Sequence, residues 1–467
     1  MEDRHLSDVE ALMWTLDSDP HLSSTFANVS LFDRPPDLKR LRKRMARALV
    51  VVPRLGQRVQ GGLAGLVPPM WVDEPDVDLD AHVRHVTLGP PGDQRQLLDL
   101  AADIATAPFD RDRPLWEFVI VDGLADGQGA MVQKLHHTIT DGEGGVRMSV
   151  QFIDMERDPG PLPDPKGPSP IDDGAEGPPP PRSPVVTVIG SLAGLTRAPR
   201  QLARQAIEGA TGLAGHPSRL AALPADVVAT ARSLARQVGV TGEALSPLWR
   251  QRTLGRRLDL IRIPLEETKA AATALGGSIN DLFVAGAAGG AGAYHRAFDV
   301  DVDELRMAMP VSTRANRSDR SRGGNAFAPT RVRVPVDADP RERFRDIHQR
   351  LGITKEERAV GLIGTIAGMS NLLPPPLLVR MVRQQTATVD FTTSNVRGAP
   401  FPLYIAGARI LGNYPIGPLG GTAWNLTTMS VDGNLDMGLH VDTGAVAEPV
   451  LLRTCIEAAF DELLALA

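Results

Sequence analysis

Hydrophobic and polar positions along the first part of the chain predict a mixture of strands and helices. Apolar runs at residues 26–32, 115–121 and 130–136 have the length of buried strands. Residues 37–49 and 94–107 instead repeat their apolar positions at every third or fourth place, which predicts amphipathic helices. This part of the chain therefore predicts an α/β domain.

The same pattern resumes in the second half of the chain. Strands are predicted for the stretches 257–263, 305–336 and 389–441. Helices are predicted for residues 265–275, 278–296, 340–383 and 449–466. Each half is thus expected to carry its own strands and helices, and the two halves to form two α/β sandwiches.

A proline-rich stretch separates the two halves. Residues 159–184 contain eleven prolines, which is incompatible with a regular helix or a central strand. The Ala- and Leu-rich residues 185–238 predict two helices. We therefore predict an N-terminal domain over residues 1–158, a linker and helical crossover over 159–250, and a C-terminal domain over 251–467.

Composition and charge limit the classes of protein to consider. The chain has 467 residues, more than one ordinary domain holds, and 42% of them are hydrophobic. The net charge of -6 argues against a general nucleic-acid partner. The single cysteine, Cys455, cannot form an internal disulfide, which is typical of a reducing compartment.

No segment of the sequence predicts export or a membrane span. The first residues lack the basic-then-apolar order of a signal peptide. No apolar run approaches the roughly 20 residues that a transmembrane helix needs. We therefore expect a cytoplasmic protein, soluble or in peripheral contact with a membrane or lipid droplet. The six arginines of residues 185–238 are either a solvated face of packing helices or a contact with an anionic lipid surface.

Candidate chemistry is concentrated in residues 136–142, which read His-His-Thr-Ile-Thr-Asp-Gly. They follow a predicted strand and precede residues 146–155, whose apolar positions have helical spacing. Neighbouring residues on a strand point to opposite faces, so His136 and His137 are poorly placed to share a metal ion. An acid–base role is therefore favoured over a metal site and over two structural histidines.

Three further motifs occur in the chain. Residues 113–117 read Arg-Pro-Leu-Trp-Glu, and residues 393–400 read Thr-Ser-Asn-Val-Arg-Gly-Ala-Pro. Residues 278–283 read Ser-Ile-Asn-Asp-Leu-Phe at the start of a predicted helix. Ser278 is expected to be the N-cap of this helix, with Asp281 completing a capping box.

Together these motifs resemble those of the bacterial wax ester synthase/diacylglycerol acyltransferase family. That family belongs to the chloramphenicol acetyltransferase-like superfamily of HHxxxDG acyltransferases. The resemblance begins with Leu-Ser-Asp-Val-Glu-Ala-Leu-Met at residues 6–13 and covers nearly the whole chain. It implies two chloramphenicol acetyltransferase-like α/β sandwich domains with a tunnel between them. It also implies a CoA-dependent acyltransferase that needs no metal and no cofactor, with acyl-CoA as co-substrate.

The resemblance also implies how residues 136–142 act. His137 is the general base that removes the proton of an acceptor hydroxyl, and the oxygen then attacks the acyl-CoA thioester directly. His136, Asp141 and Gly142 support it. Asp141 either organises the loop, which is favoured, or acts directly through its charge, and Gly142 permits a tight turn. The expected acceptor is diacylglycerol, which gives triacylglycerol, or in second place a fatty alcohol, which gives a wax ester.

Four other residues are candidates for binding substrate. Asn280 either donates a hydrogen bond towards the thioester or satisfies the helix N-terminus, and Trp116 either lines the site or packs beneath it. Ser394 and Asn395 are expected to border the channel between the halves. The basic residues within 39–47 are either a solvated face or a contact with CoA phosphates or an anionic membrane.

Two departures from the family pattern bear on the acceptor. Residues 246–253 stand where the family usually has an Asn-Gly-containing segment, and Arg397 stands where it usually has proline. Two other functions therefore stay open. One is an acyltransferase of the same superfamily that uses another hydroxyl or a carrier-bound acyl group. The other is a lipid-surface binding protein that has lost its activity.

Overall fold

The computed structural model describes residues 4–61, 69–140, 142–160, 242–312, 327–356 and 374–467. The helices predicted for residues 185–238 lie outside this part of the chain, as does the proline-rich stretch from residue 161 onward. Within the described ranges, no helix is both long and apolar enough to cross a bilayer.

The first half contains strands and helices in alternation. Its strands are β1 (Thr25–Phe32), β2 (Gln57–Gln60), β3 (Met70–Asp73), β4 (Val83–Thr87), β5 (Trp116–Asp122), β6 (Gly129–His136) and β7 (Ile153–Asp154). Its helices are α1 (Asp8–Leu16), α2 (Leu38–Val51), α3 (Leu79–His82), α4 (Gln94–Thr106) and α5 (Gly142–Ser149).

The second half has the same mixed character. Its strands are β8 (Arg256–Pro264), β9 (Glu304–Ser312), β10 (Phe327–Pro335), β11 (Phe391–Val396), β12 (Tyr404–Ile405), β13 (Ala408–Ile416), β14 (Trp424–Val431) and β15 (Asn434–Asp442). Its helices are α6 (Leu265–Ala274), α7 (Ile279–Ala297), α8 (Pro340–Glu356), α9 (Pro375–Thr386) and α10 (Pro449–Leu464).

The predicted elements of the described ranges are present within a few residues, apart from one helix. The helix expected across residues 146–155 is wrong in extent, because α5 ends at Ser149. The amides of Gln151 and Phe152 bond back to preceding carbonyls and close a turn there. The next two residues form β7, which pairs with β12 of the second half.

The first sheet has the strand order β4-β5-β6-β1-β13-β12-β7, so β1 is its central strand. One face carries Phe118 and Met131, which are buried with apolar side chains of α2. The opposite face carries Val29 and Val132, which pack on α4 and on Leu258 of β8. The second half therefore contributes to a core that lies beneath the first sheet.

The second sheet has the strand order β10-β9-β11-β14-β15-β8. One of its faces carries Trp424, Leu426 and Met437, which form a core with α7, α8 and α10. Helices α7 and α10 lie so close that a methyl group at Gly290 would come within 2.5 Å of Ile456. The other face of this sheet is directed towards the first sheet.

Two strands of the second half leave it and complete the first sheet. Strand β13 pairs with β1 in an antiparallel register that joins Ala27 to Ile416. Strand β12 pairs in turn with β13 and β7. Each half carries strands and helices as predicted, but the predicted domains 1–158 and 251–467 share the first sheet. The predicted domain boundaries themselves stay a prediction.

Candidate active site

The two histidines lie at the end of β6, between β5 and β1. The amide of His136 donates to the Leu115 carbonyl at 3.0 Å, on the side of β5. The amide of His137 donates to the Ser24 carbonyl at 3.0 Å, on the side of β1. Backbone bonds to both neighbours therefore hold this end of the strand, and a side chain here is presented from a rigid scaffold.

His137 is half-buried, and its ring has a backbone partner at one nitrogen. Its Nδ1 lies 3.3 Å from the Thr140 carbonyl oxygen. Because a carbonyl can only accept, Nδ1 carries the proton of the neutral ring and Nε2 carries the lone pair. The ring also packs on Phe26, with 4.5 Å between the ring centroids. The imidazole is thus fixed at one nitrogen and basic at the other.

His136 is only 1% exposed and has different partners. Its Nδ1 accepts from the Thr138 amide at 3.2 Å and also lies 2.8 Å from Thr138 Oγ1. Its Nε2 lies 3.4 Å from Asp17 Oδ1, at the end of α1. Among the described residues, no three His, Cys, Asp or Glu side chains are grouped as ligands for a metal ion.

Asp17 is an acidic residue of the site that sequence reasoning missed. It accepts hydrogen bonds from Ser23 Oγ at 2.9 Å and from Arg111 Nη2 at 3.0 Å. Burial acts to raise the pKa of Asp17. The hydrogen bond and charge of His136, together with hydrogen bonds from Arg111 and Ser23, outweigh this effect and hold the pKa below its ordinary value. Asp17 is therefore an ionised carboxylate beside His136.

Lys134 is a second residue that sequence reasoning missed, although a lysine within an apolar strand was a visible signal. It is 1% exposed, and its Nζ donates to the Ala107 carbonyl at 2.6 Å and lies 4.2 Å above the ring of Phe109. Burial lowers the pKa of Lys134 to about 8. The Phe109 ring meets His136 edge-on, so this lysine supports the face opposite to His137.

Two supporting residues of the predicted site have little structural description. Asp141 lies outside the described residues, and Gly142 is the first residue of α5. The roles predicted for them, in organising the loop and permitting the turn, stay predictions.

Trp116 lies in the core of the first half. It is 1% exposed, its Nε1 donates to the Leu55 carbonyl at 2.8 Å, and its ring stacks on His82 at 4.4 Å. It also pairs with Leu135 across β5 and β6. These are packing contacts beneath the site, and the substrate-binding alternative stays a prediction.

The candidates of the second half lie on both faces of the second sheet. The predicted capping box is confirmed, since Ser278 and Asp281 exchange the expected hydrogen bonds at the start of α7. Asn395 Nδ2 donates to Asn280 Oδ1 at 3.3 Å, which places these two side chains together beside α7. Ser394 directly precedes Asn395 on β11, so its side chain points to the opposite face of the second sheet. That face is directed towards the first sheet.

Most arginines of α2 are engaged within the protein. Arg40 Nη2 lies 3.3 Å from Asp154, and Arg44 contacts the same carboxylate. Arg42 Nη2 donates to the Val83 carbonyl at 3.1 Å. Lys39 is among the exposed basic residues of this helix. The basic character of residues 39–47 is thus largely structural, and a contact with CoA or a membrane stays a prediction.

The two departures from the family pattern have different surroundings. Ser246 Oγ lies 2.7 Å from His295 Nε2, and both side chains are fully buried. Trp249 is also buried and packs edge-on against Trp424, so Ser246 and Trp249 anchor this segment in the core beneath the second sheet. Arg397, in contrast, is exposed just after β11.

Comparison with known proteins places the chain among acyltransferases. The family described as the wax ester synthase/diacylglycerol acyltransferase catalytic domain matches residues 6–283, and the WS/DGAT C-terminal domain matches residues 323–464. A Mycobacterium tuberculosis protein named as a diacylglycerol O-acyltransferase is 36% identical over 99% of this chain and 92% of its own length.

Two solved structures show the same fold. A wax ester synthase/diacylglycerol acyltransferase from Marinobacter aquaeolei is 21% identical and covers 98% of both chains with a TM-score of 0.65. The first condensation domain of the CDA synthetase is 15% identical and covers 99% of this chain and 97% of its own, with a TM-score of 0.57. The predicted two-domain α/β fold class is therefore confirmed.

Proposed function

The chain belongs to the wax ester synthase/diacylglycerol acyltransferase family, and from this premise we propose that it transfers an acyl group from acyl-CoA to a lipid hydroxyl, with His137 as the general base. The observation that carries this proposal is the contact between His137 Nδ1 and the Thr140 carbonyl, because it leaves the lone pair on Nε2. An imidazole, whose ordinary pKa is near 6.5, can accept and return a proton at neutral pH.

The proposed reaction is direct and leaves no group on the protein. His137 Nε2 takes the proton of the acceptor hydroxyl as the oxygen attacks the thioester carbon. The carbon–sulfur bond then breaks, and the CoA sulfur leaves with the proton that His137 returns. A general base of this kind contributes about 10²–10⁴-fold to the rate.

The residues around the base have proposed supporting roles. His136, tied to Asp17, holds the end of β6, while Asp141 and Gly142 shape the loop that follows. Ser394 lies on the sheet face directed towards the first half, which supports a place beside substrate. The roles of Asn280 and Asn395, which bond to each other, stay proposals of the same kind.

Diacylglycerol is the acceptor that we propose first, and a long-chain fatty alcohol is second. The name of the Mycobacterium tuberculosis relative supports the diacylglycerol acceptor. Transfer to another hydroxyl, or from a carrier-bound acyl group, is the alternative within the same chemistry. An assay with palmitoyl-CoA and a panel of diacylglycerol, hexadecanol and sugars distinguishes these acceptors by their products.

The first prediction concerns the base itself. We expect His137→Ala to lower kcat for palmitoyl-CoA and diacylglycerol by about 10²–10⁴-fold, because the acceptor hydroxyl loses its proton acceptor. The measurement is release of free CoA together with chromatography of the lipid products. His85→Ala is the matched control, since His85 is a histidine on β4 whose Nε2 pairs with Asp122 at 2.7 Å. Unchanged turnover in His137→Ala would contradict the role of base.

Peripheral contact with a lipid surface is the second part of the proposal. Helix α9 exposes Leu377 and Met381, one turn apart, together with Arg380. Such a mixture of apolar and basic side chains suits the surface of an anionic membrane or lipid droplet on the cytoplasmic side. Flotation with anionic and neutral vesicles tests this contact. Binding to vesicles without turnover of acyl-CoA would favour the alternative of a lipid-binding protein that has lost its activity.

A further inference from the structure

The face of the first sheet that carries His137 is partly open to solvent near its centre. The side chains of Phe26, Asn28 and Gln133 alternate with buried neighbours on the central strands β1 and β6, and all three are only half-buried. Further along the same face, Phe32 and Met131 are fully buried. Partial exposure in the middle of a seven-stranded sheet shows that packed side chains cover this part of the face incompletely.

A cluster of polar side chains occupies this open part of the face. Gln133 Nε2 donates to Ser30 Oγ at 3.3 Å, and Ser30 Oγ donates to Asn413 Oδ1 at 2.7 Å. Asn28 Nδ2 donates to the same Asn413 oxygen at 2.5 Å and lies 3.0 Å from Ser30 Oγ. Asn413 Nδ2 points towards the second sheet, where Met429 Sδ lies 3.3 Å away.

These bonds use amide N–H groups of the cluster as donors, and two of its amide oxygens accept no hydrogen bond from the described residues. Asn28 Oδ1 is buried and has no hydrogen-bond partner among the described residues. No described residue donates a hydrogen bond to Gln133 Oε1, and this oxygen is partly exposed to solvent. The cluster therefore offers hydrogen-bond acceptors and would be completed by a ligand that brings N–H or O–H donors.

The strand register gives the distance between the cluster and the base. Phe26 pairs with Leu135 and Asn28 pairs with Gln133, while the His137 ring packs on Phe26. Gln133 and His137 are four positions apart in the sequence, which corresponds to about 13 Å along a strand. The cluster thus lies on the same face of the sheet as His137, about 13 Å from it along the strand.

We propose that Asn28 and Gln133 bind the pantetheine arm of the acyl donor, by accepting a hydrogen bond from the amide N–H that lies farther from the thioester. This inference rests on the proposed function, since it takes acyl-CoA as the donor. The second amide nitrogen of pantetheine is seven bonds from the sulfur, a reach that suits the distance from the base. The sulfur end of the arm then lies beside His137 and the acyl chain extends away from the cluster.

The chemistry of the cluster favours this ligand over the acceptor lipid. Diacylglycerol and fatty alcohols carry a single O–H group, which must lie at His137 to react. Their ester groups and chains have no further donor to satisfy an amide oxygen. Pantetheine has an amide N–H seven bonds from the sulfur, so it can donate to the cluster while the thioester stays at the base.

The test combines shortened donors with a variant of the cluster. Palmitoyl-CoA and palmitoyl-pantetheine carry both amides, whereas palmitoyl-N-acetylcysteamine carries only the nearer one. Gln133→Met keeps the length of the side chain and removes the amide. We expect this variant to lower kcat/KM by about five- to tenfold with the two longer donors, as the loss of one hydrogen bond does, and to have no effect with the short donor.

Controls separate binding from folding. Asn28→Leu repeats the test at the second oxygen, and thermal unfolding reports whether either variant is folded. Gln57→Met is the matched control, because Gln57 lies on β2 and bonds to Asp73 at 2.9 Å, away from this face. It should leave kcat/KM unchanged with all three donors.

Four other outcomes of these assays would overturn the inference. An equal loss with the long and short donors, or no loss in a folded Gln133→Met variant, overturns the inference. A variant that changes the preference between diacylglycerol and hexadecanol without any dependence on the donor assigns the cluster to the acceptor and also overturns it. A wild-type protein that turns over no acyl thioester overturns the proposed function itself, and this inference with it.

Discussion

At the scale of single residues, His136 and His137 have separate partners and therefore separate tasks. His137 lies half-buried on one face of the sheet, whereas His136 is buried on the other face beside the carboxylate of Asp17. Asp17 touches neither the base nor the proposed substrate. It is a positioning residue, because it can act on His137 only through the strand end that His136 anchors.

We expect Asp17→Asn to lower kcat by about 10- to 100-fold and to leave KM for palmitoyl-CoA nearly unchanged, because a small displacement of the base harms the chemical step more than binding. Steady-state kinetics measure both constants. Asp17→Glu restores a carboxylate and should recover part of the loss. Asp99→Asn removes an exposed acid that pairs with Arg95 and serves as the matched control. A rise in KM alone would contradict a positioning role.

The sequence shows the histidines but not the carboxylate. Residues 136–142 form a contiguous motif that is visible in the sequence, and the family resemblance implies which of its histidines is the base. Asp17 directly follows α1, and only the path of β1 brings it to His136. A contact between distant segments leaves no local pattern, so no spacing in the sequence points to Asp17.

At the scale of elements, Lys134 joins β6 to the end of α4. Ala107, whose carbonyl accepts from Lys134, is the C-cap residue of α4, where a cation is favoured by the exposed carbonyl groups. The same ammonium group lies on the ring of Phe109. A single buried cation thus holds the helix end against the strand that carries both histidines.

The lowered pKa of Lys134 makes this junction depend on pH. Burial disfavours the charged form, so the folded protein releases this proton at about pH 8, whereas the unfolded chain keeps it to about 10.5. Between these values the unfolded chain binds more protons, and the contribution of Lys134 makes the free energy of unfolding rise with pH.

We therefore expect the free energy of unfolding of wild type, relative to Lys134→Met, to increase as the pH rises from about 8 to about 10.5. Urea unfolding of both proteins across this range measures the difference. Lys269→Met, which removes an exposed lysine of α6, should give a difference that does not vary. A flat difference for Lys134→Met would contradict the lowered pKa.

Elements set by local chemistry are predicted well, and those set by distant pairing are not. The capping box of Ser278 and Asp281 depends on four consecutive residues, and it is present as predicted. The end of α5 depends on β7, which exists only because β12 of the other half pairs with it. The apolar spacing of residues 146–155 therefore gives the wrong helix end.

At the scale of the whole molecule, the exchange of β13 makes the two halves depend on each other. Strand β1 pairs with β6 on one side and with β13 on the other. Without the second half, residues 27–32 of β1 would have no strand partner on one side, and β1 would be an exposed edge of the remaining sheet. Such an edge favours aggregation.

We expect a fragment of residues 1–158 to aggregate or remain unfolded, because it lacks β13 and the part of its core that β8 supplies. Size-exclusion chromatography and circular dichroism of the fragment measure this. Adding a peptide of residues 404–418, which spans β12 and β13, should increase the soluble folded fraction, whereas a scrambled peptide should not. A stable monomeric fragment with native secondary structure would contradict the dependence.

The class of the fold could be predicted, but the exchange could not. The alternation of strands and helices and the resemblance of the motifs indicate two α/β sandwiches. Residues 404–416 have the same strand pattern as their neighbours in the second half, and nothing in that pattern selects the sheet that they join. Only the packing of the two sheets decides it.

Strand β13 also limits how the two halves can move. Its backbone is bonded to β1, while the Asn413 amide donates to Asp436 at 2.7 Å and the Leu411 carbonyl accepts from Arg262 at 2.6 Å, both on the second sheet. A hinge motion that separates the two halves would therefore break one of these sets of hydrogen bonds. We therefore expect substrates and products to enter and leave through the two ends of the expected tunnel between the halves. Side chains and loops at these ends would then set the rate of passage.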